Sequence, residues 1–260
     1  MRYFMKNIVL LVLALLYAWM PYKPVTFGAE NSAREVIERV ENAPRPADQQ
    51  LTMTMTLVNS QGQTLTRTLE VKKQGDDKSY LLFVDPPDVK NTAFLNISHE
   101  LRDDEMYLYL PALNRIRRIA SSSKHKNFMG SDFTYDDMGD RDIDDYTYRM
   151  VESSTRFRDQ EVYLIEGSAK DPNQTGYSKL RFWIRKDIYQ PVKIEFFDRH
   201  GDLEKVQTNA GFKRIGEYLL ATRIEMQNVQ TGHKTILELQ DIQVDQHLPE
   251  MTWTRRNLAR

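Results

Sequence analysis

From Leu51 onward apolar and polar residues take turns: Leu51, Met53, Met55 and Leu57 alternate with Thr52, Thr54 and Thr56. This period of two predicts a strand with one greasy face. Asn59-Ser60-Gln61-Gly62 then turns the chain into Leu65, Leu69 and Val71, which completes a hairpin. The same pattern predicts strands over Tyr80 to Asp85, Thr92 to Ile97, Glu105 to Leu110 and Arg115 to Ile119. Beyond these, strands are predicted over Tyr146 to Val151, Val162 to Glu166, Leu180 to Ile184, Val192 to Phe197, Leu203 to Phe212, Leu219 to Val229 and Thr235 to Val244. The links are short and turn-rich, among them Gln74-Gly75-Asp76-Asp77, residues 171–176, residues 198–202 and Gln230-Thr231-Gly232-His233. They predict an antiparallel meander. No helical crossover interrupts the strands, which argues against a parallel doubly wound sheet and its nucleotide site.

Before the strands, Ala33, Val36, Ile37 and Val40 recur at helical spacing between Ala29 and Ala43. Asn31 or Ser32 is placed to cap this helix, and Glu35 completes a Ser-x-x-Glu capping box. Pro44 and Pro46 end it. A sheet of about eleven strands has one further short helical piece, near Ser131 to Met138, to cover its apolar face. Two small helices cannot cover a flat sheet, so the expected fold is mainly β, a single large antiparallel half-open barrel. A barrel wider than about eight strands has an interior that side chains alone do not fill. The expected lining of such a hydrophobic cavity is Met53, Met55, Leu57, Leu82, Phe94, Met106, Leu108, Phe182, Ile194 and Phe196, with Leu180, Ile184, Ile224 and Met226 on the same stripe. The same stripe also serves as ordinary core, and the pattern by itself leaves both uses open.

The first residues read as an export signal. Arg2 and Lys6 precede an apolar run from Ile8 to Met20, too short for a spanning helix of ~20 residues. Thr26 and Gly28 present small side chains where a signal peptidase reads, which places cleavage after Gly28. An uncleaved anchor is the alternative. The expected division is therefore residues 1–28 as signal peptide and 29–260 as one domain. Removing Arg2, Lys6 and Lys23 leaves 33 basic against 37 acidic residues, so nucleic-acid binding lacks its electrostatic signature. There is no cysteine, which excludes disulfides, thiolate metal sites, Cys nucleophiles and a lipidated N-terminal Cys.

The densest signal runs from Met106 to Asp145. It holds the strand Tyr107-Leu-Tyr-Leu-Pro-Ala-Leu113 and the segment Asn127-Phe-Met-Gly-Ser-Asp-Phe-Thr-Tyr-Asp-Asp-Met138. Ser131 or Asp132 is placed to cap a short helix that carries Phe133 and Met138, with Gly130 permitting a sharp entry. In these motifs the chain resembles the outer-membrane lipoprotein-sorting proteins of the LolA/LolB-like superfamily. The resemblance implies an unclosed antiparallel barrel with a lid, here Phe128, Met129, Phe133 and Met138, over a cavity that takes acyl chains of lipoproteins or phospholipids. It further implies a periplasmic carrier in a Gram-negative bacterium, with an inner-membrane transporter and an outer-membrane acceptor as partners, and a monomer.

Charge is segregated in this stretch: Arg115, Arg117, Arg118, Lys124 and Lys126 precede Asp132, Asp136, Asp137, Asp140, Asp142, Asp144 and Asp145. The three arginines form an expected rim for an anionic headgroup or an acidic partner, unless the opposite charges simply face one another in solvent. The aspartates from Asp140 imitate a calcium loop, but Asp145 stands where its Gly belongs and Val151 where its Glu belongs. The five histidines are scattered, and no nucleophile elbow, phosphate loop or dinucleotide fingerprint occurs. No cofactor, metal or catalytic residue is expected, and the chain reads as a carrier and not an enzyme. Its alternative is a non-enzymatic docking module of an inner-membrane transporter.

Overall fold

The computed structural model describes residues 32–99, 104–139 and 141–259; the predicted signal segment and its cleavage site lie outside them. The helix α1 spans Ala33–Glu41, and the Ser32–Glu35 capping box forms in both directions, a device worth about 1 kcal/mol. Its apolar stripe buries Ala33, Val36 and Ile37. The left half of the sheet comes next: β1 (Asp48–Val58), β2 (Thr64–Gln74), β3 (Lys78–Asp85), β4 (Ala93–Ile97), β5 (Glu105–Leu110) and β6 (Arg115–Ile119). A strandless segment leads to the right half. This comprises β7 (Tyr146–Phe157), β8 (Gln160–Ala169), the one-turn α2 (Pro172–Thr175), β9 (Lys179–Arg185), β10 (Pro191–Phe197), β11 (Leu203–Ala210), β12 (Lys213–Ile215), β13 (Tyr218–Leu220), β14 (Arg223–Asn228) and β15 (Lys234–Val244).

Thirteen strands make one antiparallel sheet in the order β6-β5-β4-β3-β2-β1-β15-β14-β11-β10-β9-β8-β7, while β12 and β13 pair only with each other. The sheet is unclosed, with β6 and β7 at its edges. The strand expected over 203–212 ends early because Gly211 adopts φ +65°, and the hydroxyl of Thr222 donates to its carbonyl at 2.7 Å. That kink splits off the small hairpin β12-β13, which lies outside the sheet; the sheet itself has thirteen strands where about eleven were expected. Residues 171–176, expected as a plain hairpin link, wind into α2 because Asp171 caps the Asn173 amide.

One apolar cluster gathers on the concave face and draws on nearly every strand: Met55, Leu69, Phe83, Phe94, Met106, Ile165, Leu180, Ile184, Phe196 and Met226 are among its buried members. A second cluster lies on the opposite face of β3–β5, where Tyr80, Ala93, Leu95 and Tyr107 meet Trp253 and Leu258. The turns Glu250–Trp253 and Arg255–Ala259 cover β3–β6 there. These strands are thus buried on both faces, which is why Tyr80-Leu81-Leu82-Phe83 reads as a continuous apolar run. Among the described residues no helix is long and apolar enough to cross a membrane.

Candidate ligand interior and its lid

Side chains of a strand alternate between faces, so the register fixes what looks into the concave side. Met55 pairs with Arg67 and Leu237, Leu57 with Thr235, and Phe196 with Lys205. Nine of the ten expected lining residues join the concave cluster: Met55, Phe94, Met106, Leu108, Phe182, Ile194 and Phe196 are buried in it, and Met53 and Leu57 pack against it partly buried. Leu82 does not. It packs with the Trp253 cluster on the opposite face, while its neighbours Leu81 and Phe83 point inward. In a run apolar at every position, alternation alone cannot say which parity faces in.

The segment between β6 and β7 closes the concave face. Phe128 is fully buried, and its ring lies 5.2 Å from Phe94, 6.1 Å from Phe83 and 5.5 Å from Tyr135 between centroids. Phe133 is buried beside it, and Met129 and Met138 pack on the same cluster partly buried. The expected short helix does not form. The backbone instead doubles back: Met129 and Gly130 take φ of 49° and 79°, the Phe128 amide donates to the Phe133 carbonyl at 2.7 Å, and Asn127 bridges Thr134. Two successive left-handed residues break any helix, and Gly130 supplies one of them without strain. The Ser131 hydroxyl donates back to the Phe128 carbonyl at 2.7 Å, which ties the fold-back together. Only one 3-10 turn, Asp136–Met138, forms beyond this fold-back and before Gly139.

Arg67, Thr235 and Lys205, polar residues on the concave face, each meet this lid. Arg67 of β2 donates through Nη1 to the Met129 carbonyl at 2.5 Å, its guanidinium 5.9 Å from the centre of the Phe83 ring. Thr235 of β15 donates to Asp132 Oδ2 at 2.8 Å and accepts from the Asp132 amide at 2.9 Å. Lys205 of β11 donates to the Tyr177 hydroxyl at 3.0 Å, and that hydroxyl donates to Asp137 Oδ2 at 3.2 Å. Asp137 also lies 3.8 Å from Lys205 Nζ and 3.3 Å from Arg141 Nη2, and it accepts from the Thr134 amide at 2.8 Å. Arg67, Thr235 and Lys205 were not recognised from the sequence. Arg67 was detectable, because it shares the parity of Leu69 and Val71 and so had to face inward.

Burial makes the lid carboxyls reluctant to ionise. Asp132 is held above its ordinary value by desolvation, which the Thr235 hydroxyl offsets only in part. Desolvation and then the neighbouring Asp137 push Asp136 up, and burial pushes Tyr177 well up. Beside the lid lies a polar cleft of about 1370 Å³, lined by Asp104, Lys124, His125, Asp136, Arg141, Tyr177 and Lys205 among others. Among the described residues no group of His, Asp or Glu is placed to hold a metal ion. Arg115, Arg117 and Arg118 lie exposed on the edge strand β6. Arg115 and Arg117 pair with Leu110 and Leu108 of the concave side, whereas Arg118 pairs with Tyr107 and faces the other way.

An unclosed antiparallel sheet whose apolar concave face is covered by the segment between β6 and β7 defines a half-barrel class. Two solved structures share it at a TM-score of 0.82. An outer membrane lipoprotein-sorting protein domain from Vibrio parahaemolyticus is 36% identical, over 88% of this chain and 98% of that one. A DUF1329 family protein from Desulfovibrio piger is 26% identical, over 87% and 97%. A LolA superfamily protein from Nitrosomonas europaea, 19% identical over 87% and 99%, shares the fold at a TM-score of 0.70. The family model that matches residues 75–260 carries the description "-like: Uncharacterized protein". Comparison with curated proteins returned no match. The chain belongs to the outer membrane lipoprotein-sorting protein family.

Proposed function

We propose that the protein is a non-catalytic periplasmic carrier, exported through a cleaved signal segment. It takes the acyl chains of a lipoprotein or phospholipid onto its concave face and moves them between inner and outer membrane. The observation that supports this most is the lid's mode of attachment. Phe128 and Phe133 fill the hollow with apolar surface that an acyl chain can replace, while the lid is held by separable polar contacts to Arg67, Thr235 and Lys205. Each CH₂ removed from water contributes ~0.8 kcal/mol, so a long chain competes with two phenyl rings. Met53, Met55 and Met106 add flexible side chains that re-pack around varied chains. Release then needs a partner at either membrane.

The second reading, a docking module for an inner-membrane transporter, draws on the completeness of the closed state, in which the lid itself occupies the hollow. A lid lock separates the two. The chain is free of cysteine, so Asp132→Cys with Thr235→Cys places a single disulfide pair across the lid contact. A carrier takes up a fluorescent fatty acyl probe when reduced and loses uptake when oxidised. Equal uptake in both states contradicts the carrier.

A further inference from the structure

The hairpin that joins β5 to β6 ends in Pro111-Ala112-Leu113-Asn114, and Leu113 is 67% exposed, the most exposed large apolar side chain among the described residues. Directly after it come Arg115, Arg117 and Arg118, all exposed. The C-terminal turn that packs on β4, β5 and β6 adds exposed Arg255 and Arg256 to the same corner. The Arg255 guanidinium sits 5.0 Å from the centre of the Tyr107 ring, the residue opposite Arg118. Among the described residues none of these five arginines forms an ion pair, whereas Arg34, Arg45, Arg149, Arg181, Arg185 and Arg223 all do. The Glu105 carboxylate accepts from the Tyr107 hydroxyl at 2.9 Å and lies 3.3 Å from His99 Nε2.

We propose that this corner docks the protein on an anionic lipid surface, with Leu113 entering the headgroup layer and the five arginines engaging phosphates. Guanidinium groups match phosphate oxygens in a bidentate fork, and an apolar tip flanked by cations is the composition that binds a charged bilayer. Guarding a sheet edge against pairing also uses charges, but that role needs no exposed Leu at the tip. At the opposite edge, β7 carries Arg149 paired to Glu166 at 2.9 Å and Arg156 bonded to the Asp159 carbonyl at 3.4 Å. Arginines on both faces of β6 favour an approach by the tip, edge-on, with the lid left free. This adds a membrane-contact surface to the carrier reading, and its test tracks the protein instead of the cargo, so the two fail separately.

The test is flotation of the exported protein with vesicles of phosphatidylglycerol and phosphatidylethanolamine against vesicles of phosphatidylcholine. Partition onto the anionic vesicles is expected to be at least about tenfold stronger and to fall at high salt. Arg117→Glu with Arg118→Glu is expected to lower it at least about tenfold, and Leu113→Asp to lower it severalfold. All three positions are exposed, so the variants should melt like the parent, which differential scanning fluorimetry checks. No flotation with anionic vesicles, or equal flotation of parent and variants, overturns the proposal; the arginines would then answer to an acidic protein.

Discussion

Asp132 and Thr235 lie 103 positions apart in the chain and bond to each other twice, amide to hydroxyl at 2.9 Å and hydroxyl to carboxylate at 2.8 Å. The pair ties the lid to β15 inside an apolar hollow. Thr235→Val keeps the shape and removes the hydroxyl, leaving a buried amide and carboxylate without their partner. The expected loss is about 1–3 kcal/mol, read by denaturant unfolding, together with faster hydrogen exchange across residues 128–138. Unchanged exchange there would show that the lid does not depend on this contact.

Asp137 and Lys205 form the second tether. Removing one member of a buried pair strands the other charge and typically costs about 3–5 kcal/mol. Asp137→Ala and Lys205→Met are each expected to be strongly destabilising, and the double variant to lose at least about 1 kcal/mol less than their sum. Additive losses in the double-mutant cycle would mean that Lys205 acts through Tyr177 and Glu204 without Asp137.

Arg67 offers a gentler lever. Its Nη1 holds the Met129 carbonyl, while its Nε is buried without a partner. Arg67→Met fills the site with apolar volume and gives up the tether. Uptake of a fluorescent acyl probe by stopped flow is expected to quicken severalfold, with a modest change in stability. Slower uptake would assign Arg67 to cargo binding instead of lid closure.

Acid should favour the closed lid. Burial holds Asp132, Asp136 and Asp145 above their ordinary value of 3.8, so the closed state binds protons more tightly than an open or unfolded one. Their contribution to closure is full below that ordinary value and is lost as pH rises through the raised values. Glu166 runs the other way. Arg149, Arg181 and Lys179 overcome its desolvation and lower it from 4.5 to about 2, so its contribution is present above 4.5 and is lost as pH falls toward 2. Lid amides, corrected for intrinsic exchange, are expected to be better protected near pH 3.8 than at pH 8. Protection that rises with pH would contradict this.

Most of the strands were legible because each needs only local alternation and a turn, and the Ser32–Glu35 box named its own helix. That residues 128–138 pack against the apolar face was legible: Phe128, Phe133, Met129 and Met138 all reach the concave cluster. The conformation of that segment was not, since Met129 carries a left-handed backbone that no residue preference signals. Leu82 misled because Trp253 and Leu258 cover the other face of β3–β5. Two isolated apolar residues in a polar tail announce no partner until the chain is folded. Lys205 was hidden more deeply. On β11 both parities are largely polar, and its burial depends on Phe196 across the ladder and Asp137 in the lid.

The decisive measurement is what the hollow holds in the cell. The exported protein, purified without detergent, is weighed intact by native mass spectrometry and then extracted with organic solvent for lipid analysis. A carrier yields an acyl-chain lipid in near-stoichiometric amount, and the oxidised Asp132→Cys, Thr235→Cys variant, locked before exposure, yields none. A clean apo mass that stays apo after incubation with phospholipid and lipopeptide would contradict acyl-chain carriage and leave the closed half-barrel as a docking module.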